Sequence, residues 1–327
     1  MILAGDIGGT KTVLALFEEA NGALRHVRDD TFPSRDHPTF EGIVEQFLRN
    51  QRGLRLRAGC FGVAGAVIDG RVHTTNLPWT LDETTLAAFI HAPRVKLLND
   101  LEAAAYGVLF LQGAELAVLN PGSEPQRKGN VAVIAAGTGL GEAMLFWDAP
   151  HFHPVASEGG HADFAPRTDE EVELLRYLRR KFGGHVSYER VLSGPGFYNV
   201  YCFLRDTGVA PESPALRAQL AGNDPNPVIA QLGLAGQEPL CVKTLELFAE
   251  IYGAEAGNLA LKCLAVGGVF IAGGIGPKVL PLLQNGGFMR GFIDKGRFTD
   301  FMKSLRVSVA LNPQTPLIGA AHYALRV

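Results

Sequence analysis

Apolar residues open the chain in two short runs, 2–5 and 12–17, rich in aliphatic and β-branched side chains and separated by the glycine-rich "GDIGGTK". That pattern predicts two strands joined by a glycine turn, with the polar stretch "EEANGAL" as the next turn. A third strand is expected near 25–32 and a helix around 39–50. A buried strand at Cys60–Val63, a polar loop "TTNLPW" at 74–79 and a helix near 82–90 follow. The apolar "RVKLLND" at 94–100 reads as a strand ending in Asn99 and Asp100, and "LEAAAYGVLFL" after it as a strong helix. The opening pattern returns at 131–147 in "VAVIAAGTGLGEAMLFW", again strand, Gly-Thr-Gly turn, strand. Residues 169–181 form a charged amphipathic helix, and 206–240, with five prolines, an irregular or broken-helix insertion. A helix over 243–263 carries Leu245, Phe248, Ile251, Tyr252 and Leu259 on its expected period. A buried strand at Val269–Ala272, Gly273 and Gly274, a helix opening near Pro277 and a last helix over 315–326 complete the chain.

Residues 5–12, "GDIGGTKT", depart from a P-loop at Thr10, where the pattern requires glycine. The sequel excludes that motif, because a P-loop leads into a helix and "TVLALFE" reads as a strand. The glycines then sit in a hairpin, where Gly8 and Gly9, lacking Cβ atoms, can take positive φ and turn their amides toward an anion. A carboxylate beside a phosphate needs a divalent cation between them, so Asp6 is read as acting on Mg²⁺, directly or through its waters. An ordinary glycine turn with a solvated Asp would look the same in this segment alone. Two such hairpins about 130 residues apart suggest a duplicated domain, each copy presenting a loop to a shared cleft. The third glycine turn, at Gly273 and Gly274, has the layout of a nucleotide site at the carboxyl end of a strand. Three such turns, one carrying an acid, favour a nucleotide-phosphate site over plain structure.

Composition narrows the class. The 327 residues are 47% hydrophobic and 19% charged with a net charge of −3, which suits a packed two-domain enzyme and disfavours a nucleic-acid binder, whose phosphate contacts need clustered Lys and Arg. Cys60, Cys202, Cys241 and Cys263 are far apart and form no zinc or disulfide spacing. The apolar run at 264–276 stops well short of the roughly 20 residues that span a bilayer, and Met1 leads straight into a strand with no cationic leader. A cytosolic protein without membrane or nucleic-acid partners is expected.

The remaining polar residues raise a chemical question. Asp100 stands where its side chain could cap a helix, with Asn99 doubling the hydrogen-bonding capacity there. In "SEGGHADFAPRT", Glu158, His161 and Asp163 crowd two glycines without calcium or zinc spacing, which a satisfied polar loop would also explain. Glu189 lies next to Arg190, where a surface ion pair is the plain alternative. Carboxylates, amides and imidazole together match the mixed donors and acceptors of sugar hydroxyls. If a hydroxyl attacks a γ-phosphate, one carboxylate must serve as general base, and Asp100, the acid at a strand end of the first lobe, is the choice.

With these segments in order along essentially the whole chain, the sequence resembles the bacterial glucokinase family of the sugar kinase, actin and heat-shock chaperone ATPase superfamily. "GDIGGTKT", "TTNLPW", "LLNDLEAAAYG", "AAGTGLG", "SEGGHADFAP", "HVSYERVLSGPG" and "GGVFIAGGI" carry it, and the cysteine-rich zinc motif of the related repressor and kinase branch is absent. The resemblance implies two α/β lobes of ribonuclease H-like topology around a cleft: a small lobe of residues 1–111 completed by a C-terminal helix at 313–327, and a large lobe of residues 112–312. It implies ATP and Mg²⁺ as cofactors, glucose as substrate and a cytoplasmic homodimer. Asn99, Glu158, His161, Glu189 and Asn76 would then bind glucose, and Asp100 would take the 6-hydroxyl proton. Asp6 would serve the Mg²⁺; Gly8, Gly9, Thr10, Gly137 and Thr138 the phosphates; Gly273 and Gly274 the nucleoside side. Lys11 stands where many members have Asn and is left outside the catalytic set. The competing readings are a kinase for another hexose or an amino sugar, a chaperone-like or cytoskeletal ATPase, and a sugar-sensing regulator, the last disfavoured because the hairpin begins at residue 2.

Overall fold

The β-branched run after the glycines does form a strand. The computed structural model describes residues 1–20, 23–49, 51, 53–74, 76–124 and 127–327. Asn21 and Gly22 of the turn in "EEANGAL", Thr75 of "TTNLPW", and Pro125 and Gln126 of the polar stretch 120–130 lie outside the described residues. The chain divides into two units, one made of Met1–Glu115, Asp148–Ala156 and Asn312–Val327, the other of Leu116–Trp147 and Ser157–Leu311.

In the first unit, β1 (Ile2–Ile7) pairs antiparallel with β2 (Lys11–Ala20), which pairs with β3 (Ala23–Pro33). On its other side β1 runs parallel to β4 (Ala58–Val63), and β4 to β5 (Val95–Asn99). All six residues of β4 are buried, as expected of a central parallel strand covered on both faces. One face packs on α1 (Phe40–Leu48), whose Phe40, Ile43, Val44 and Phe47 enter the core with Phe61. The other face packs on the C-terminal α6 (Thr315–Tyr323), through Leu317, Ala320 and Ala321.

The second unit repeats the plan. β7 (Val131–Ala136) pairs antiparallel with β8 (Leu140–Asp148) and parallel with β9 (Gly268–Ala272). β9 runs parallel to β10 (Val307–Ala310), which pairs antiparallel with β6 (Leu116–Asn120). A hairpin followed by two parallel strands thus occurs in each unit, as a duplication predicts. The second core is built on α5 (Pro239–Cys263), with Leu245, Phe248, Ile251, Tyr252 and Leu259 all buried. α3 (Asp169–Phe182) is capped by Thr168, carries acids in its first turn and bases in its last, and stops at Gly183 in the left-handed region. The proline-rich insertion resolves into helices 214–220 and 225–234, with Pro214 and Pro225 in their first turns, where the missing N–H costs nothing. Among the described residues no helix is long and apolar enough to cross a membrane.

In the first unit α6 packs on α2 (Asp100–Gly107) at backbone distance: a Cβ on Gly319 would lie 1.8 Å from the Ala103 carbonyl oxygen, and one on Gly107 2.0 Å from that of Thr315. Gly319→Ala is expected to lower stability by about 1–3 kcal/mol, the usual cost of overpacking. Gly184→Ala, with nothing within 4 Å of its Cβ position, should leave the urea midpoint unchanged. Equal midpoints for the two variants would contradict the close packing of α2 and α6.

Candidate active site

The first glycine hairpin is closed by the Gly8 N–H, which donates to the Lys11 carbonyl at 3.0 Å. Neither Gly8 nor Gly9 uses the positive φ open to it. What Gly9 supplies is clearance, since a Cβ there would sit 2.8 Å from Cβ of Asn76. Asn76, read as a sugar-loop residue, therefore lies against the first glycine hairpin, at the rim of a small recess shared with Gly8 and Gly9. The hairpin is also held from behind by a residue that sequence reasoning missed. Ser34, fully buried, donates from Oγ to the Gly8 carbonyl at 2.7 Å and from its N–H to the Thr10 carbonyl at 3.0 Å, with Thr12 Oγ1 3.0 Å from its Oγ. Nothing in "FPSRD" marks this role, because the bonds span 22 to 26 residues of chain.

Asp6 sits near the carboxyl end of β1, opposite Gly62, and Asn99 ends β5 opposite Val63. The cap of α2 is Asn99 and not Asp100: Asn99 Oδ1 accepts from the Leu101 N–H at 2.9 Å, while Glu102 reaches back to the Asn99 N–H at 2.9 Å. Asn99 Nδ2 also donates to the Gly65 carbonyl at 3.0 Å. Asp100 is left as an exposed carboxylate at the first helical position, with Oδ1 2.8 Å from the same Leu101 N–H. Burial, then the Asp100 charge, pushes the Asp6 carboxyl up to about 6, and Lys11 partly offsets this. Asp6 is thus no solvated turn residue, and two neighbouring carboxylates repel each other. Among the described residues no group of three or more metal-capable side chains occurs, so a divalent cation here would have to keep most of its own waters, as Mg²⁺ does.

In the second unit the Gly137 N–H donates to the Gly139 carbonyl at 2.8 Å, and the Gly137 carbonyl accepts from the Gly194 N–H at 2.8 Å, where α4 (Gly194–Asp206) begins. Thr138 is exposed at the tip. Gly273, at the end of β9, has φ of 79° and its Cβ position lies 2.6 Å from the Ala136 carbonyl, so this turn rests on the end of β7; Gly273 and Gly274 are both exposed. The same unit gathers the polar residues. His161 Nδ1 lies 3.9 Å from Glu189 Oε1, and its Nε2 4.0 Å from Glu158 Oε2. Those gaps are too long for direct hydrogen bonds, and a hydroxyl oxygen can bridge either one. Glu189 makes no ion pair with Arg190, whose guanidinium lies over the Phe182 ring. Its Oε2 instead accepts from the Leu140 N–H at 3.0 Å and lies 2.5 Å from the Cβ position of Gly139. Asp163 is drawn away to His185, Oδ1 to Nδ1 at 2.9 Å.

Two units of hairpin-plus-parallel-strand topology, glycine hairpins in both and an acid–imidazole cluster together define a sugar kinase of the actin-like ATPase fold. A sequence model of the glucokinase family matches residues 3–327. Glucokinase of Trichormus variabilis is 42% identical, with 100% of this chain and 99% of the relative covered. That of Synechocystis sp. is 40% identical, with 98% and 96% covered. Among solved structures, glucokinase from an Antarctic psychrotroph superposes with a TM-score of 0.85 at 31% identity, covering 100% and 99%. The chain belongs to the glucokinase family and is a hexose kinase.

Because folding raises the Asp6 carboxyl, its charge carries a stability cost that is absent near the ordinary value of 3.8 and fully developed above about 6. Asp6→Asn is expected to be more stable than the natural sequence in metal-free buffer at neutral pH, by on the order of 2–3 kcal/mol. Urea titrations across this range should show the difference vanish toward acid pH; a difference independent of pH would contradict the burial argument.

Proposed function

We propose that Asp100 is the general base of glucose phosphorylation. It accepts the proton of the 6-hydroxyl as that oxygen forms its bond to the γ-phosphorus of ATP and the bond from phosphorus to the ADP oxygen breaks. The observation that carries this reading is the division of roles at the end of β5, where Asn99 takes the cap and Asp100 stands exposed. Glu158, His161 and Glu189 bind the other sugar hydroxyls, supported by the two gaps of about 4 Å around the imidazole. Asn99 uses one donor and one acceptor of its amide on Leu101 and Gly65, which leaves one of each for a hydroxyl. Asn76 acts from beside Gly9 as a further hydroxyl or phosphate partner.

Gly8, Gly9, Thr10, Gly137 and Thr138 offer main-chain amides and hydroxyls to the phosphates, and Gly273 and Gly274 border the nucleoside. Asp6 would hold Mg²⁺, directly or through the ion's waters, and the ion when bound would neutralise charge on the phosphates. Positioning and charge neutralisation carry most of such a transfer, with the base adding a further term. The spacing of the four cysteines supports placing the chain outside the zinc-motif branch, and composition supports a cytoplasmic location. A homodimer rests on the family resemblance.

Asp100→Asn should keep its thermal midpoint and its KM for glucose within a few-fold while kcat falls by about 10²–10⁴; near-normal turnover would sink the assignment. His161→Ala and Glu158→Gln should instead raise KM for glucose about 10–100-fold, the cost of a hydrogen bond involving a charged group. Steady-state kinetics with glucose varied at saturating Mg·ATP separates the two patterns.

A further inference from the structure

Beneath the acid–imidazole cluster lie two carboxylic groups for which the reaction has no use. Glu142, on β8, is 1% exposed, and Glu255, on α5, is 0% exposed. Glu142 Oε1 has no hydrogen-bond partner. Glu255 Oε2 accepts from Asn258 Nδ2 at 2.8 Å, and its Oε1 lies 3.5 Å from Lys262 Nζ. The other ionisable groups facing the pair are Tyr252, whose hydroxyl accepts from the Ala136 N–H, Tyr188, and Lys295, which donates to the Ala254 carbonyl. Lys262 is the nearest cation and its side chain is 55% exposed, so it neutralises the pair weakly. Two adjacent buried carboxylates cannot both carry a charge cheaply. A proton on one lets it donate to the other, the interaction that couples Glu142 to Glu255.

Both sugar-facing loops rest on this pair. A Cβ on Gly159 would lie 2.2 Å from Glu142 Oε2, so the loop bearing Glu158 and His161 lies directly on the carboxyl group. Asn258 Nδ2, while bonded to Glu255, also reaches Tyr188 Oη at 3.1 Å, and Tyr188 precedes Glu189. The Tyr188 N–H in turn donates to the Ala162 carbonyl at 3.0 Å, which ties the second loop to the first.

We propose that Glu142 and Glu255 share one proton at neutral pH and that this pair is the positioning element setting Glu158, His161 and Glu189 at the spacing that receives the sugar. The inference rests on the reading of those three residues as the hydroxyl partners. Burial and the neighbouring Glu255 push the Glu142 carboxyl up to about 8, so the shared proton is lost in the mildly alkaline range. Loss of the proton sets two charges against each other under Gly159 and loosens both loops.

The test is KM for glucose and for Mg·ATP across about pH 7 to 9.5 in the natural sequence, Glu142→Gln, Glu255→Gln and Glu142→Ala. In the natural sequence KM for glucose should rise about tenfold through the titration of the pair while KM for Mg·ATP holds. Glu142→Gln, which keeps a donor in place of the proton, should retain the neutral KM and lose the alkaline rise; Glu255→Gln gives the same reading from the other side. Folded Glu142→Ala should raise KM for glucose about tenfold at neutral pH. A flat natural profile, an undiminished rise in the Gln variants, or an unchanged KM in Glu142→Ala overturns the proposal. His161→Ala and Glu158→Gln in the same assay separate the failures: if they leave KM unchanged the hydroxyl reading itself falls, and if they raise it only the positioning role of the pair falls.

Discussion

The first unit turns on one hydrogen bond, from the Leu101 N–H to Asn99 Oδ1. A helix that follows a strand leaves its first amides without partners, and an acid at the junction is the usual remedy. Here Asn99 and Glu102 satisfy those amides reciprocally. Asp100 therefore occupies the junction without being its cap, and its position is fixed by α2, which α6 clamps at the glycine contacts. The two side chains share the Leu101 N–H, but Asn99 is the one that closes the reciprocal cap with Glu102.

Charge follows from the same geometry. Asp6 and Asp100 stand near the carboxyl ends of β1 and β5, on either side of β4, close enough for the charge of one to raise the carboxyl of the other. Such a pair is costly to keep ionised without a neutralising charge. In the second unit one side chain joins the acid–imidazole cluster to the glycine hairpin. Glu189 lies 3.9 Å from His161 and also bonds to the main chain at Leu140, against Gly139 of the hairpin. Movement of the Glu189 carboxylate is thereby tied to movement of the second glycine loop.

Much of this was legible in the chain. Periodicity marked both hairpins, the central strands and the helix carrying Leu245 to Leu259, because those patterns are local and strong. Element ends were less clear: β1 runs on to Ile7 and α5 begins at Pro239, where parallel pairing and a first-turn proline extend them. The positive φ open to Gly8 and Gly9 is not used, and what Gly9 contributes is room for Asn76, a contact 67 residues away in the chain. Asn99 and Asp100 were both singled out, but which one caps depends on the side chain of Glu102 and on Gly65, 34 residues away. Ser34, Glu142 and Glu255 left no signal, since each acts through partners distant in sequence and carries no motif of its own.

The most direct measurement is ADP release from Mg·ATP by the purified protein, first without sugar and then with glucose, mannose, fructose, galactose and N-acetylglucosamine in turn. A glucose kinase built as described should release negligible ADP alone and respond strongly to glucose above the others. Steady hydrolysis indifferent to every sugar would contradict it, leaving an ATPase of the same fold in which the acid–imidazole cluster has no substrate to hold.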